Sequence, residues 1–212
     1  MVRVRDRSEV SENDVLSRLR AGDEAAFAAL VDDLHGPLLA MARTFTSSRA
    51  LAEDIVQETW IGVIRGLSRF EGRSSLRTWI YGILIRRART LAARDARRRA
   101  GESAMATNGN GVEWRPGNGR KGLWEESPTP WALEDPAAIY QGEEAMRVIA
   151  AALATLPQAQ QRVLRLRDVE GLPAQDVCNI LGLSETNQRV LLHRARAAVR
   201  RALDRYVRGG AS

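Results

Sequence analysis

Helical periodicity stops at Gly101 and returns only after Pro136, so the chain cannot form one continuous helical core. Six glycines and four prolines stand from Gly101 to Pro136 inclusive, with Asn108-Gly109-Asn110-Gly111, Pro116-Gly117-Asn118-Gly119 and Pro128-Thr129-Pro130 as turn signals; such composition marks a linker. On either side Ala, Leu, Arg and Glu are abundant and β-branched runs are short, which favours helix. With 212 residues, 44% of them hydrophobic, there is apolar material for two small cores but hardly for three. The prediction is an all-α protein of two small helical domains joined by a long Gly/Pro/Trp-containing linker. Its boundaries read as a disordered tail over 1–10, a domain over 11–99, the linker over 100–136, a second domain over 137–207 and a tail over 208–212.

In the first domain, Ser11-Glu12-Asn13-Asp14 has the form of a capping box, Gly22 breaks the helix it opens, and a second helix starts at Asp23. That helix is expected to stop at Gly36, with Pro37 opening a third. Next comes a helix carrying Leu51, Ile55, Val56, Thr59, Trp60, Val63, Ile64 and Leu67 at three- and four-residue steps, one broad buried face. Asp54, Gln57, Glu58 and Ile61 fall at i, i+3, i+4, i+7 with Glu53 beside them, giving an outward acidic face. The polar loop from Phe70 to Ser75 follows, and Ser74 or Ser75 caps a helix that begins Leu76-Arg77-Thr78-Trp79-Ile80-Tyr81. This helix then turns basic through Arg86, Arg87, Arg89, Arg94, Arg97, Arg98 and Arg99, a concentration suited to a polyphosphate backbone. Trp60 and Trp79 read as core or as base-contacting rings.

In the second domain Met146, Ile149, Leu153 and Leu156 restore the helical period, and Pro157 ends it. A helix over Gln158 to Glu170 precedes Pro173 to Leu181, Gly182, and Ser184 capping a long helix to about Tyr206. A short helix, a glycine turn and a capped longer helix make a helix-turn-helix. Leu192, Ala195, Val199 and Leu203 form the inward stripe of the last helix. Arg189, His193, Arg196 and Arg200 line another face, with Arg194 and Arg201 nearby, and that face suits DNA.

The totals narrow the partners. Thirty-two Lys and Arg against 26 Asp and Glu leave a net charge of +6, and their clustering favours nucleic acid. The single Cys178 leaves no internal disulfide and reads as core; His35 and His193 are too far apart in sequence for a metal-ligand spacing. No metal, cofactor or catalytic residue is expected. No apolar run near 18 residues and no signal-peptide core at the N-terminus are apparent, so the expected location is cytoplasmic, without membrane insertion. Trp114, Trp124 and Trp131 in the linker either pack on a domain or are held by a partner.

Two stretches carry a family resemblance. Ala52-Glu53-Asp54-Ile55-Val56-Gln57-Glu58-Thr59-Trp60, with Arg69-Phe70-Glu71-Gly72-Arg73-Ser74-Ser75-Leu76-Arg77-Thr78-Trp79-Ile80-Tyr81, resembles region 2 of the extracytoplasmic-function branch of the sigma-70 family, bacterial RNA polymerase initiation subunits. Leu156-Pro157, Arg162 to Gly171, and Leu183-Ser184-Glu185-Thr186-Asn187-Gln188-Arg189 onward to Arg196 resemble region 4. The chain departs from the family's pattern at Gly82, at Arg86 and over Glu185 to Gln188.

The resemblance implies an alternative sigma factor, not an enzyme, that binds core RNA polymerase, recognises a two-part promoter and helps open it. Glu53, Asp54, Gln57 and Glu58 would then engage the clamp of the largest polymerase subunit, and region 4 the flap. Phe70, Arg73, Ser75, Arg77, Trp79, Arg86, Arg87 and Arg89 would hold the opened −10 element, since a flipped base needs a pocket, stacking surfaces and phosphate contacts. Glu185, Thr186, Asn187, Arg189, His193, Arg194 and Arg196 would contact the −35 duplex, and an anti-sigma factor would sequester the free chain. Two rivals remain. A helix-turn-helix regulator would bind duplex DNA without polymerase, and a nuclease would need a second carboxylate cluster beside Glu53, Asp54 and Glu58.

Overall fold

The computed structural model describes residues 6–106 and 143–209, and among these the regular elements are helical, with no strand. The first domain holds α1 (Asp6–Arg20), α2 (Glu24–Ala42), α3 (Arg49–Gly66) and α4 (Leu76–Ala106). The second holds α5 (Glu143–Thr155), α6 (Gln158–Leu164), α7 (Ala174–Leu181) and α8 (Glu185–Gly209). Trp114, Trp124 and Trp131 lie outside the described residues.

Side chains placed by the sequence at helix starts do the capping. Asp23 Oδ1 accepts the Ala26 N–H at 3.1 Å, Ser48 Oγ that of Leu51 at 3.2 Å, Ser75 Oγ that of Thr78 at 3.0 Å and Ser184 Oγ that of Asn187 at 3.2 Å. Each satisfies a donor that the first helical turn leaves without an intrahelical partner.

Three boundaries differ from expectation. Helix α1 starts at Asp6, ahead of Ser11, and α4 runs through Gly101 to Ala106, where one glycine costs only about 1 kcal/mol against a strongly helix-forming Arg/Ala segment. The third is Pro37, which lies inside α2 and starts no new helix. Proline there removes one backbone hydrogen bond and costs roughly 3 kcal/mol. Leu34, Leu38 and Met41, on both sides of Pro37, are all almost completely buried. At about 1.5–3 kcal/mol per fully buried large side chain, holding one stripe straight outweighs the break.

That continuity makes α2 long and apolar enough, by length and composition alone, to cross a bilayer. Instead it packs on α3 and α4. There Leu34, Leu38 and Met41 meet Ile55, Val56 and Val63 of α3 and Ile80, Tyr81, Leu84 and Ile85 of α4 in the first core.

The second domain is smaller. Val163, Leu166, Val177, Leu192 and Ala195 are its buried centre, and α5 and α6 both lie against α8. After α6 the chain widens into a π turn, Arg165–Val169, closed by the Glu170 N–H donating to the Arg165 carbonyl at 2.8 Å. Gly182 follows α7 in the left-handed region at φ 65°, where a side chain would cost about 1–2 kcal/mol. Helix α7 also rests on α4, and the two apolar cores run together as one cluster.

Candidate nucleic-acid interface

The acidic face forms on α3 as its spacing requires. Glu53, Asp54 and Gln57 are exposed and Glu58 is half-exposed. Arg49 pairs with Glu53 at 2.8 Å one turn away, and Glu53 in turn raises the Arg49 pKa, first by hydrogen bonding and then by charge. Glu58 faces Arg87 of α4 at 3.7 Å, so the acidic and basic helices meet at this point.

Ile64 corrects the sequence reading: it is 60% exposed, not part of the buried stripe. It follows Gln57 by seven residues and Glu53 by eleven, so helical geometry puts it on the acidic face. The outward surface of α3 therefore carries carboxylates together with one exposed apolar side chain.

The loop from Phe70 to Ser75 leads into α4 with Gly72 at φ 70°. Phe70 is buried and packs on Trp79, ring centroids 4.9 Å apart. Trp79 itself is half-buried and lies over Gly66, where a Cβ would stand 2.9 Å from the indole ring. Trp60 is core, edge-on to Phe27 at 5.8 Å. Arg73 is exposed and pairs with Glu71 at 3.0 Å, and Arg86 is exposed and donates to the Gly82 carbonyl at 3.1 Å.

Two residues that periodicity did not single out hold this loop. Arg20 of α1 donates to the Phe70 carbonyl, and Glu12 of α1 accepts the Leu76 N–H at the start of α4. Neither carries a local sequence signal, because each acts 50 or more residues away.

Arg77 is half-buried and Arg89 exposed, yet both are engaged by the second domain. Arg77 bridges Asp33 at 2.6 Å and Glu170 of the second domain at 2.8 Å, and Arg89 donates to the Leu181 carbonyl at 2.6 Å. Tyr81, buried beside Glu170, has its pKa raised, first by burial and then by that carboxylate.

In the second domain Glu185, Thr186, Asn187, Arg189 and Arg194 are exposed at or near the N-terminal end of α8, and His193 is half-buried. Arg189 pairs with Glu185 at 3.4 Å. Arg196 forms a two-pronged pair with Asp168, 2.7 and 2.6 Å, which raises its pKa. It thus braces α8 against the π turn. Leu192, Ala195 and Leu203 are buried, with Val199 packed against them, and Cys178 is buried as expected of a core residue.

The geometry is thus a three-sided arrangement: an acidic helix, a looped entry to a basic helix, and a helix-turn-helix whose second helix offers its N-terminal end. Comparison with known proteins decides what it belongs to. Residues 30–99 match the model of sigma-70 region 2, and residues 146–199 that of sigma-70 region 4. The chain belongs to the sigma-70 family. The chain is 25% identical over 201 residues to the RNA polymerase sigma-H factor of Pseudomonas aeruginosa, covering 95% of this chain and 98% of that one. It is 35% identical over 188 residues to the extracytoplasmic-function sigma factor SigG of Mycobacterium tuberculosis, covering 84% of this chain and 48% of SigG. Its fold matches that of the sigma factor RpoE in its complex with the anti-sigma factor NepR from Bartonella quintana, with TM-score 0.52 at 21% identity over 84% of this sigma factor and 96% of RpoE. Both matched regions lie on the two domains read from the sequence, and α1 precedes the region 2 match.

Proposed function

We propose that the parts of this alternative sigma factor divide as follows. The outward face of α3, through Glu53, Asp54, Gln57 and Glu58 around Ile64, engages the clamp of the largest subunit of core polymerase, and region 4 meets the flap. The loop from Phe70 to Ser75 and the start of α4 hold the opened −10 strand. Arg73, Ser75, Trp79, Arg86 and Arg87 offer the reachable contacts, Phe70 shapes the loop from below, and Arg77 and Arg89 join once free of the second domain. Helix α8 enters the major groove of the −35 element by its N-terminal end, where Glu185, Thr186, Asn187 and Arg189 face base edges while His193 and Arg194 reach phosphates. Arg196 is committed to Asp168 and positions that helix.

The polymerase carries out the nucleotidyl transfer, and the sigma factor supplies position and strand separation in the cytoplasm. An anti-sigma factor controls the chain by covering these surfaces.

The single observation that carries the reading is the pairing of an outward carboxylate face on α3 with a basic α4 and a separate helix-turn-helix. A nuclease needs clustered metal-ligating groups, and among the described residues no such group occurs. The test is capture by core polymerase. Asp54→Arg with Glu58→Arg should abolish co-purification while leaving far-ultraviolet circular dichroism unchanged; unaltered capture refutes the assignment of α3.

A further inference from the structure

Helix α1 lies ahead of the residues that match region 2, yet it grips both ends of the loop from Phe70 to Ser75. Leu16 and Leu19, both buried in the first core, dock it against α2 and the 3-10 turn Leu67–Arg69 that follows α3. Two charged side chains on either side of that docking stripe reach further. Arg20 Nη2 donates to the Phe70 carbonyl and Arg20 Nε to the Leu67 carbonyl at 3.4 Å, while a Glu12 carboxylate oxygen accepts the Leu76 N–H. A cation thus meets carbonyls at the end of one helical run and an anion meets an N–H at the start of the next, the sense that orphan end groups and helix dipoles both favour. Glu12 and Arg20 stand eight residues apart, about 12 Å along the axis of α1.

Between those anchors the loop is held mainly by itself. Glu71, Gly72 and Arg73 are exposed, Arg73 pairs with Glu71 at 3.0 Å, and Gly72 turns the chain at φ 70°. The position of Arg73 and Ser75 is therefore inherited from the loop's two ends. We propose that Glu12 and Arg20 are positioning residues for promoter specificity: by fixing both ends of the loop, α1 sets how sharply it discriminates among the bases of the opened −10 strand. This rests on the reading of the loop as the −10 contact. Docking of α1 is already provided by Leu16 and Leu19, and the two charged contacts add order where a base is selected. A site that is rigid before binding discriminates better than one that adapts to each base, since the wrong base then meets groups that cannot move to accommodate it.

The test separates specificity from support. Glu12 is half-buried and Arg20 exposed, and alanine is the strongest helix former, so Glu12→Ala with Arg20→Ala should fold and be captured by core polymerase as the parent chain is. Start sites found with core polymerase on genomic fragments supply a promoter, which is then randomised in its −10 or its −35 element. The double variant should lose base preference in the −10 element by about three- to tenfold, the worth of one or two hydrogen bonds, with the −35 preference unchanged and exchange of the Leu76 amide accelerated. Glu12→Gln keeps a carbonyl acceptor for that amide and should retain both the parent preference and the slow exchange. An unaltered −10 preference, an equal loss at both elements, loss of capture, unaltered Leu76 exchange, or a Glu12→Gln chain as permissive as the double variant would each overturn the positioning role. A parent chain that initiates with no preference in the −10 element would instead overturn the reading of the loop beneath it.

Discussion

The two domains are held by unequal cores. Among the described residues, ten of the twelve largest fully buried side chains belong to α2, α3 and α4, and only Val163 and Leu166 to the second domain. The first domain can carry loops, an exposed carboxylate face and a row of arginines because a thick core fixes its helices. The second is a thin three-helix support for one reading helix, braced by ion pairs such as Arg196 with Asp168 and by resting on its neighbour. On the proposed division of roles, stability is concentrated where a strand would be held open, and adaptability where a duplex would be met.

The largest test of that contrast is Leu84→Ala. It should cost about 2–5 kcal/mol in urea unfolding and expose the amides of α8 along with those of α3, since the second domain leans on the first. If exchange in α8 is unchanged, the domains are energetically separate and the contrast is wrong. Arg162→Met comes next. Losing a charged donor to Thr44 should cost about 1.5–3 kcal/mol, read as faster exchange confined to the contact between domains. Unchanged exchange there would show that the contact contributes nothing.

Arg189→Ala sharpens the division between reading and holding. A loss of about 1–3 kcal/mol at one promoter position marks a base contact, whereas a smaller loss uniform across sequences marks a phosphate contact. The smallest effect concerns Asp23. The Ala26 N–H first, and the Arg18 guanidinium second, hold its carboxyl below the usual carboxylate range. Because the folded pKa is the lower one, the cap contributes fully above about pH 4 and fades as the pH falls through the folded value. Asp23→Asn should remove that acid-side slope in thermal unfolding, and an unchanged slope would place it elsewhere.

Much of this was legible in the sequence because local rules act within a turn or two. The helix start at Asp23, the caps at Ser75 and Ser184 and the glycine turn at Gly182 depend on neighbours three or four residues away. The acidic face of α3 followed from spacing, although Ile64 was assigned to the wrong side because a wide apolar stripe hid its seven-residue step from Gln57. What failed was decided by distant partners. Pro37 stays inside α2 because Leu34, Leu38 and Met41 are buried by α3 and α4, and no local pattern reports that. Glu12, Arg20, Asp33, Arg162 and Glu170 are ordinary surface charges in sequence, and their roles arise only when segments far apart in the chain meet. The occupation of Arg77 and Arg89 by the second domain is likewise a property of the fold.

The decisive measurement is mapping of RNA 5′ ends made by core polymerase, free of any initiation subunit, when the purified chain is added to genomic DNA. The account predicts transcripts starting at discrete positions, lost with Asp54→Arg and Glu58→Arg together. Only random starts, or the same starts with that double variant, would contradict it.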